Sequence, residues 1–259
     1  MAQDEQTRSQ LLDGNRHIKV DDLSLGNYAA ISDIFSNYVK PQDWDKKAIT
    51  TDVARFGRDL TVSIVWTWRR GERMDILTKS KTTDTFNLIE NQRQEYWVGK
   101  SEVTVDQDWV GGGVVDEWDG YIGFSWWRPA LPDPEELKRD RKARPENYDD
   151  LKTQCYYRMF DRRVNKRQIS IDPDNIRVDW VKTTVIEIGG KFYDVKELIM
   201  KDLRAIKRSW IDKDGKLKIN DKAAQKLILG WRSPDFADTI MMREYAELTQ
   251  PPELDIFFI

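Results

Sequence analysis

Two β-prone runs in close succession, Ala48–Val53 and Leu60–Trp68, constrain this chain more than any other feature. Residues 54–59 (ARFGRD) separate them and carry a glycine turn. Together they predict a strand, a tight reversal and a second strand. Asp52 interrupts the first run near its end. An acid there costs β-propensity and is hard to bury unless something pairs with it. Whatever fold forms must supply Asp52 with partners.

Composition narrows what those partners can do. The chain has 259 residues, 39% of them hydrophobic, enough for one sizeable domain with or without appendages. Eleven Trp supply large, rigid packing surfaces. Charged residues make up 34%, yet the net charge is only −3, so any nucleic-acid contact must use local basic patches. Cys155 is the sole cysteine and His17 the sole histidine. That rules out an intrachain disulfide and fits a reducing compartment. It also argues against a structural zinc site and against Cys/His or Ser/His/Asp catalysis. Carboxylates remain for chemistry. No run of 18 apolar residues and no signal peptide occur, and the N-terminus MAQDEQTRSQ is polar, so a soluble, intracellular protein without a membrane partner is expected.

A third strand, Glu72–Leu77, follows Arg69–Gly71 and completes an antiparallel meander. Thr82–Trp97 reads as a helix with Thr83 or Asp84 as its cap, Ser101–Asp106 as a short strand, and Tyr121–Trp127 as an aromatic strand. Val114–Trp118 follows the Gly111–Gly113 run and reads as a helix start. Residues 128–147, rich in proline and arginine, read as an exposed loop or short polar helix. Further helices are expected at Tyr28–Tyr38, Tyr148–Asn165, Asp194–Arg208, Lys222–Leu229 and Asp235–Leu248. Short strands are expected within 168–188 and at Leu217–Ile219, and a hairpin turn at Gly189–Gly190. This order gives a mixed α/β sheet flanked by helices. It is an RNase H-like order that other α/β folds also fit. Residues 1–48 read as a linker or the tail of a preceding unit, 49–250 as the domain, and 251–259 as a C-terminal tail.

Asp52 and Asp106 each end a predicted strand. Asp235 and Asp238 open a predicted helix on one face. Four acids can therefore converge at one sheet edge, where mutual repulsion raises their pKa values. Hard cations such as Mg²⁺ or Mn²⁺ relieve that repulsion with oxygen ligands, and two ions roughly 4 Å apart clamp a phosphodiester for hydrolysis. Taken singly, a strand-end Asp commonly closes a turn or caps a helix. Asp59 closes the turn with Gly57, and Asp235 after Pro234 suits the positive end of a helix dipole. Asp106–Glu117 (DQDWVGGGVVDE) partly matches a calcium loop, but Val110 occupies a ligand position and no helix precedes it. The chain has no G-K-[ST] phosphate loop, so ATP hydrolysis is not expected. Basic residues cluster at Lys138, Arg139, Arg141, Lys142 and Arg144, and again over 158–167 and 201–208. Such runs are ordinarily solvated helix faces. Beside an acidic site they would hold a phosphate backbone. Trp126 and Trp127 read as core residues.

Four stretches in order carry a family resemblance: ITTDVARFGRDLTV, VTVDQDWVGGGVVDEW, residues 147–171 and SPDFADTIMM. They resemble the nuclease domain of tailed-bacteriophage terminase large subunits, in which D-x-A-x-x-G-x-D opens an RNase H-like fold. The resemblance spans about residues 45–248. It implies that Asp52, Asp106 and Asp235 bind the catalytic metals, that Asp238 is an additional ligand as in related Holliday-junction resolvases, and that Asp59 is a second acid near the first metal. It further implies a Mg²⁺- or Mn²⁺-dependent endonuclease with two ions, cutting concatemeric double-stranded viral DNA during packaging in the host cytoplasm. The implied partners are the terminase ATPase domain, the portal and the small terminase subunit. Thr239 stands where alanine is usual. A resolvase of the same fold and a non-catalytic DNA- or portal-binding module are the alternatives.

Overall fold

The structure is a computed structural model that describes residues 23–41, 46–54, 59–107, 119–209 and 215–249. A first helix, α1 (Tyr28–Asp33), is capped by Asn27, whose side chain accepts from Ala29 N (2.9 Å) and Ala30 N (3.3 Å). It stops well short of the expected Tyr38. Strands β1 (Lys47–Asp52), β2 (Thr61–Thr67) and β3 (Arg70–Leu77) form the expected antiparallel meander. Helix α2 (Thr82–Tyr96) follows. Its cap is Lys81, two residues before Thr83 and three before Asp84, and Asp84 reaches back to accept from Lys81 N at 2.9 Å. That is the reciprocal half of a capping box.

Strand β4 (Val103–Asp106) pairs parallel with β1, and β5 (Ile122–Phe124) pairs parallel with β4. β5 is shorter than expected because the chain leaves the sheet to serve a helix. The carbonyls of Trp126 and Arg128 accept from Lys152 N (3.2 Å) and Leu151 N (2.7 Å), the first turn of α4. The short α3 (Pro134–Arg139) lies in between, and α4 (Leu151–Arg158) continues as a π-helical stretch over Met159–Val164. Strands β6 (Ser170–Ile171) and β7 (Ile176–Val178) add parallel to β3, and β8 (Val181–Lys182) closes antiparallel on β7. The main sheet thus runs β5-β4-β1-β2-β3-β7-β8, with β6 beside β3. A separate hairpin, β9 (Val185–Ile188) and β10 (Lys191–Asp194), turns at Gly189 and Gly190, both at positive φ (60° and 77°). Two left-handed residues are what a two-residue hairpin needs. Helices α5 (Val195–Ala205), α6 (Lys222–Ile228) and α7 (Asp235–Thr249) complete the order. The expected strand Leu217–Ile219 is reduced to single bridges with Tyr148 and Arg208. The expected helix start at Val114–Trp118 lies outside the described residues.

The sheet is covered on both faces, so β1 lacks the alternation of a half-exposed strand. Ile49, Val53, Val65, Val103 and Val105 pack with Ile89 of α2 on one side. Ala48, Val62, Ile64, Trp66 and Phe124 pack with Tyr156, Phe236 and Ile240 of α4 and α7 on the other. Polar strand residues are matched in kind. Trp66 Nε1 donates to Thr50 Oγ1 (2.8 Å), and Ser63 links Thr51 (2.8 Å) to Gln92 (2.7 Å). Leu25, Ile31 and Ile34 belong to the larger core. A Cβ on Gly26 would stand 2.6 Å from Phe160 and 2.7 Å from Ile31. Gly26→Ala is therefore expected to cost about 1–3 kcal/mol by overpacking, read as a lower melting temperature.

Candidate active site

The fold decides where the acids meet. Thr51 and Val105 are the last paired residues of β1 and β4, so Asp52 and Asp106 follow side by side at the carboxyl ends of two parallel strands. In-register residues of neighbouring strands share a face. Asp106 is opposite Phe124 of the larger core, which places both acids on the side covered by α4 and α7. Helix α7 brings its first turn there, with Asp235 and Asp238 three residues apart on one face. Asp235 Oδ2 accepts from Leu60 N at 2.8 Å, which ties the helix start to the base of β2.

Asp52 is 8% exposed. Burial pushes its carboxyl well above the usual 3.8, and Asp106, Asp235 and Asp238 push it further, against a smaller opposing pull from Lys152. Burial also raises Asp235. The Leu60 amide and Arg232 draw it down, while Asp202 and Asp59 raise it. Asp59 is within electrostatic reach of Asp235 and pairs with Lys226 at 3.8 Å.

The four acids form one electrostatic cluster, but among the described residues no three Asp, Glu, His or Cys side chains stand together as a ready metal cage. Asp235 and Asp238 each have partners of their own. Asp235 is held by the Leu60 amide. Asp238 Oδ1 lies 2.7 Å from Lys152 Nζ and accepts from Tyr156 Oη at 2.5 Å. The donor set still suits a hard divalent cation. It is all carboxylate oxygen, and its two most buried members resist ionisation until positive charge is nearby.

Asp106, Lys152 and Asp238 open into a cleft of about 430 Å³, whose other lining residues include Trp126, Lys218 and Lys222. None of Lys138, Arg139, Arg141, Lys142 or Arg144 lines it, and all five are exposed on and beyond α3. The second basic run is used internally. Arg158 and Arg162 bind Asp133 (2.9 and 2.7 Å), Arg163 binds Glu244 (2.9 Å), and Arg167 binds Asp33 (2.6 Å). Trp126 and Trp127 are 43% and 64% exposed, not core as expected. The turn that carries Lys152 to the site also lifts them out of β5.

Sequence reasoning missed Lys152, Asp202 and Arg232. Asp202 of α5 is fully buried, and its Oδ2 accepts from Phe236 N (3.1 Å) at the start of α7. Arg232 clamps it with both terminal guanidinium nitrogens. Gly230 and Trp231, at φ 67° and 70°, turn the chain just before Arg232.

No family model matches the sequence, and no curated protein does. Solved structures do match. The nuclease domain of the large terminase subunit gp2 of bacterial virus Sf6 aligns at a TM-score of 0.61 and 15% identity, covering 85% of this chain and 97% of that one. The fold is that of a large-terminase nuclease domain. A K428A mutant of the same Sf6 domain, with manganese and beta-thujaplicinol, aligns at 0.59 and 16% identity over 85% and 97% of the two chains. Another, with calcium, aligns at 0.60 and 16% over 85% and 98%. In this nuclease fold the acid cluster occupies the carboxyl ends of β1 and β4. No helix among the described residues is long and apolar enough to cross a membrane.

Proposed function

We propose that this chain is a Mg²⁺- or Mn²⁺-dependent endonuclease that cuts concatemeric double-stranded viral DNA during genome packaging in the host cytoplasm. It would work beside a terminase ATPase domain, the portal and the small terminase subunit. One observation carries the reading. Buried Asp52 is held against Asp106, Asp235 and Asp238 at one sheet edge, in a fold shared with a terminase nuclease domain. The solved Sf6 domains with manganese or calcium support a divalent ion.

In this reading Asp52, Asp106, Asp235 and Asp238 would hold two ions, with Asp52 serving both, Asp106 one, and Asp235 with Asp238 the other. Asp59 adds negative charge beside Asp235. When bound, the ions activate water and stabilise the charge that develops on the phosphodiester oxygens. The Leu60 amide fixes which oxygen of Asp235 remains for a ligand role. Lys218 and Lys222, beside the acids in the cleft, hold DNA phosphates against it. The exposed Lys138, Arg139, Arg141, Lys142 and Arg144 offer a more distant backbone contact.

The test is cleavage of linear duplex DNA in Mn²⁺, read on a gel. Fragments are expected with the natural protein. None are expected with EDTA, and none with Asp106→Asn, whose fold is checked by melting. DNA binding without cleavage in either metal would leave only a binding module. Strong preference for a four-way junction over linear duplex would make the chain a resolvase.

A further inference from the structure

The basic run over 201–208 borders a second cleft, of about 470 Å³, that shares no lining residue with the cleft beside the acids. Leu198, Lys201 and Arg204 follow at intervals of three along α5, form one row of its surface and all line this cleft. Lys207, just beyond α5, lines it too, and its amide is fixed by Asn220 Oδ1 at 2.9 Å. Arg232 adds a fourth cationic residue, with its guanidinium committed to Asp202. Among the described residues no carboxylate lines this cleft.

Lys201 and Arg204 are exposed and have charge to offer. Lys201 stands 3.8 Å from Glu197, with both side chains more than half exposed, a contact that contributes little. Arg204 lies over the Tyr28 ring at 5.1 Å. A ring face attracts the cation but leaves the in-plane N–H groups for an anion. The remaining wall is apolar. Ile188 and Tyr193 come from the β9–β10 hairpin, and Ile228 from the end of α6. The chain turns at Gly230, at φ 67°, where an added Cβ would meet nothing within 4 Å. Apolar walls with a few placed charges are the make-up of a small-ligand pocket.

We propose that this cleft binds a nucleoside polyphosphate, with the phosphates on Lys201 and Arg204 and the base against the apolar wall. Two cations one helical turn apart suit a ligand with more than one negative charge, which favours a di- or triphosphate over a single carboxylate. Tyr193 and the aliphatic side chains suit a flat, largely apolar body, which a nucleobase supplies and inorganic polyphosphate does not. A cleft of about 470 Å³ holds one nucleotide, not a length of duplex. The site is independent of the nuclease reading. It is joined to the acids through Arg232, which lines the cleft and also holds Asp202, the acceptor for Phe236 N at the start of α7.

Calorimetry of the full chain with ATP and GTP tests this. EDTA is present throughout, so that no metal ion bridges a phosphate to the acid cluster. Sub-millimolar binding is expected, with a rise in melting temperature as the ligand is added. Adenosine and inorganic triphosphate each offer half of the ligand and should bind at least about tenfold more weakly. The double variant Lys201→Ala, Arg204→Ala changes only exposed positions. It should weaken ATP by at least about tenfold, the loss of hydrogen bonds to charged groups. Ile228→Ser should weaken ATP and leave inorganic triphosphate unchanged. Melting of each variant without ligand checks that it folds. Failure of both nucleotides to bind, or equal binding by the natural protein and the double variant, overturns the proposal. Inorganic triphosphate binding as tightly as ATP also overturns it, since the cations would then be a polyanion patch alone. A short duplex that displaces ATP at lower concentration than ATP itself needs would make this face a DNA track, and overturns it too.

Discussion

Asp52→Asn is expected to abolish Mn²⁺-dependent cleavage while making the metal-free protein more stable. The first effect should exceed about a hundredfold, the upper end of what changes around a metal's ligands cost, because Asp52 feels the charge of all three other acids. The second follows from the same geometry. Burial and three neighbouring carboxylates lift the Asp52 carboxyl above its ordinary 3.8. Between that value and the raised one, the folded protein binds a proton that the unfolded chain has released. The stabilising contribution is thus fully present below about pH 4 and is lost as pH rises through the folded value. At neutral pH the acid is a burden that the amide does not carry. Asparagine should add about 1–2 kcal/mol in EDTA, or roughly 4 °C in melting temperature. Its stability should also fall less steeply as the pH rises above about 4. A cleavage-dead variant that melts lower in EDTA would mean that Asp52 is a structural acid, satisfied in a way its neighbours do not suggest.

The parts of this molecule that were legible in the sequence are those written in local chemistry. The meander β1–β3 and the hairpin at Gly189–Gly190 are set by β-branched runs and turn residues a few positions apart, and they fold where expected. Asp52 and Asp106 are found by being acids at strand ends, and Asp235 and Asp238 by opening a helix on one face. The rest depends on contacts that no local pattern records. Lys152 sits in a helix turn that looks like any solvated lysine position until α7 is laid across it. Asp202 lies in a helix whose acids and bases alternate as on many surfaces, yet it is fully buried because its partner residues are 30 and 34 positions away. The basic run at 158–167 misleads for the same reason. Its arginines look like a phosphate track, but Asp133, Glu244 and Asp33 claim them from other elements. Trp126 and Trp127 mislead in the opposite direction: their aromatic content suggests core, while the need to supply carbonyls to α4 takes them out of the sheet.

Removing Arg232 should cost more stability than any other single change near the site. Asp202 is completely buried and binds two groups, the Arg232 guanidinium and the amide of Phe236 at the start of α7. Burial outweighs these partners and lifts its carboxyl to about 6, so near pH 7.5 the acid is ionised and needs the guanidinium. Arg232→Ala leaves that charge uncompensated, which costs about 3–5 kcal/mol, or roughly 10 °C or more in melting temperature. Because its raised carboxyl takes up a proton readily, the loss should shrink below pH 6. Asp202→Asn on top of Arg232→Ala should recover part of the loss, since the amide can still accept from Phe236 N without carrying charge. The non-additivity of that pair, measured by urea unfolding, isolates the clamp. The consequence for the site follows from α7. Asp202 holds the end of the helix from which Asp235 and Asp238 project, so Arg232→Ala should weaken Mn²⁺ binding even at temperatures where the protein stays folded. If metal affinity is unchanged while stability drops, the helix start is held by the Leu60 bond to Asp235, and the clamp serves stability alone.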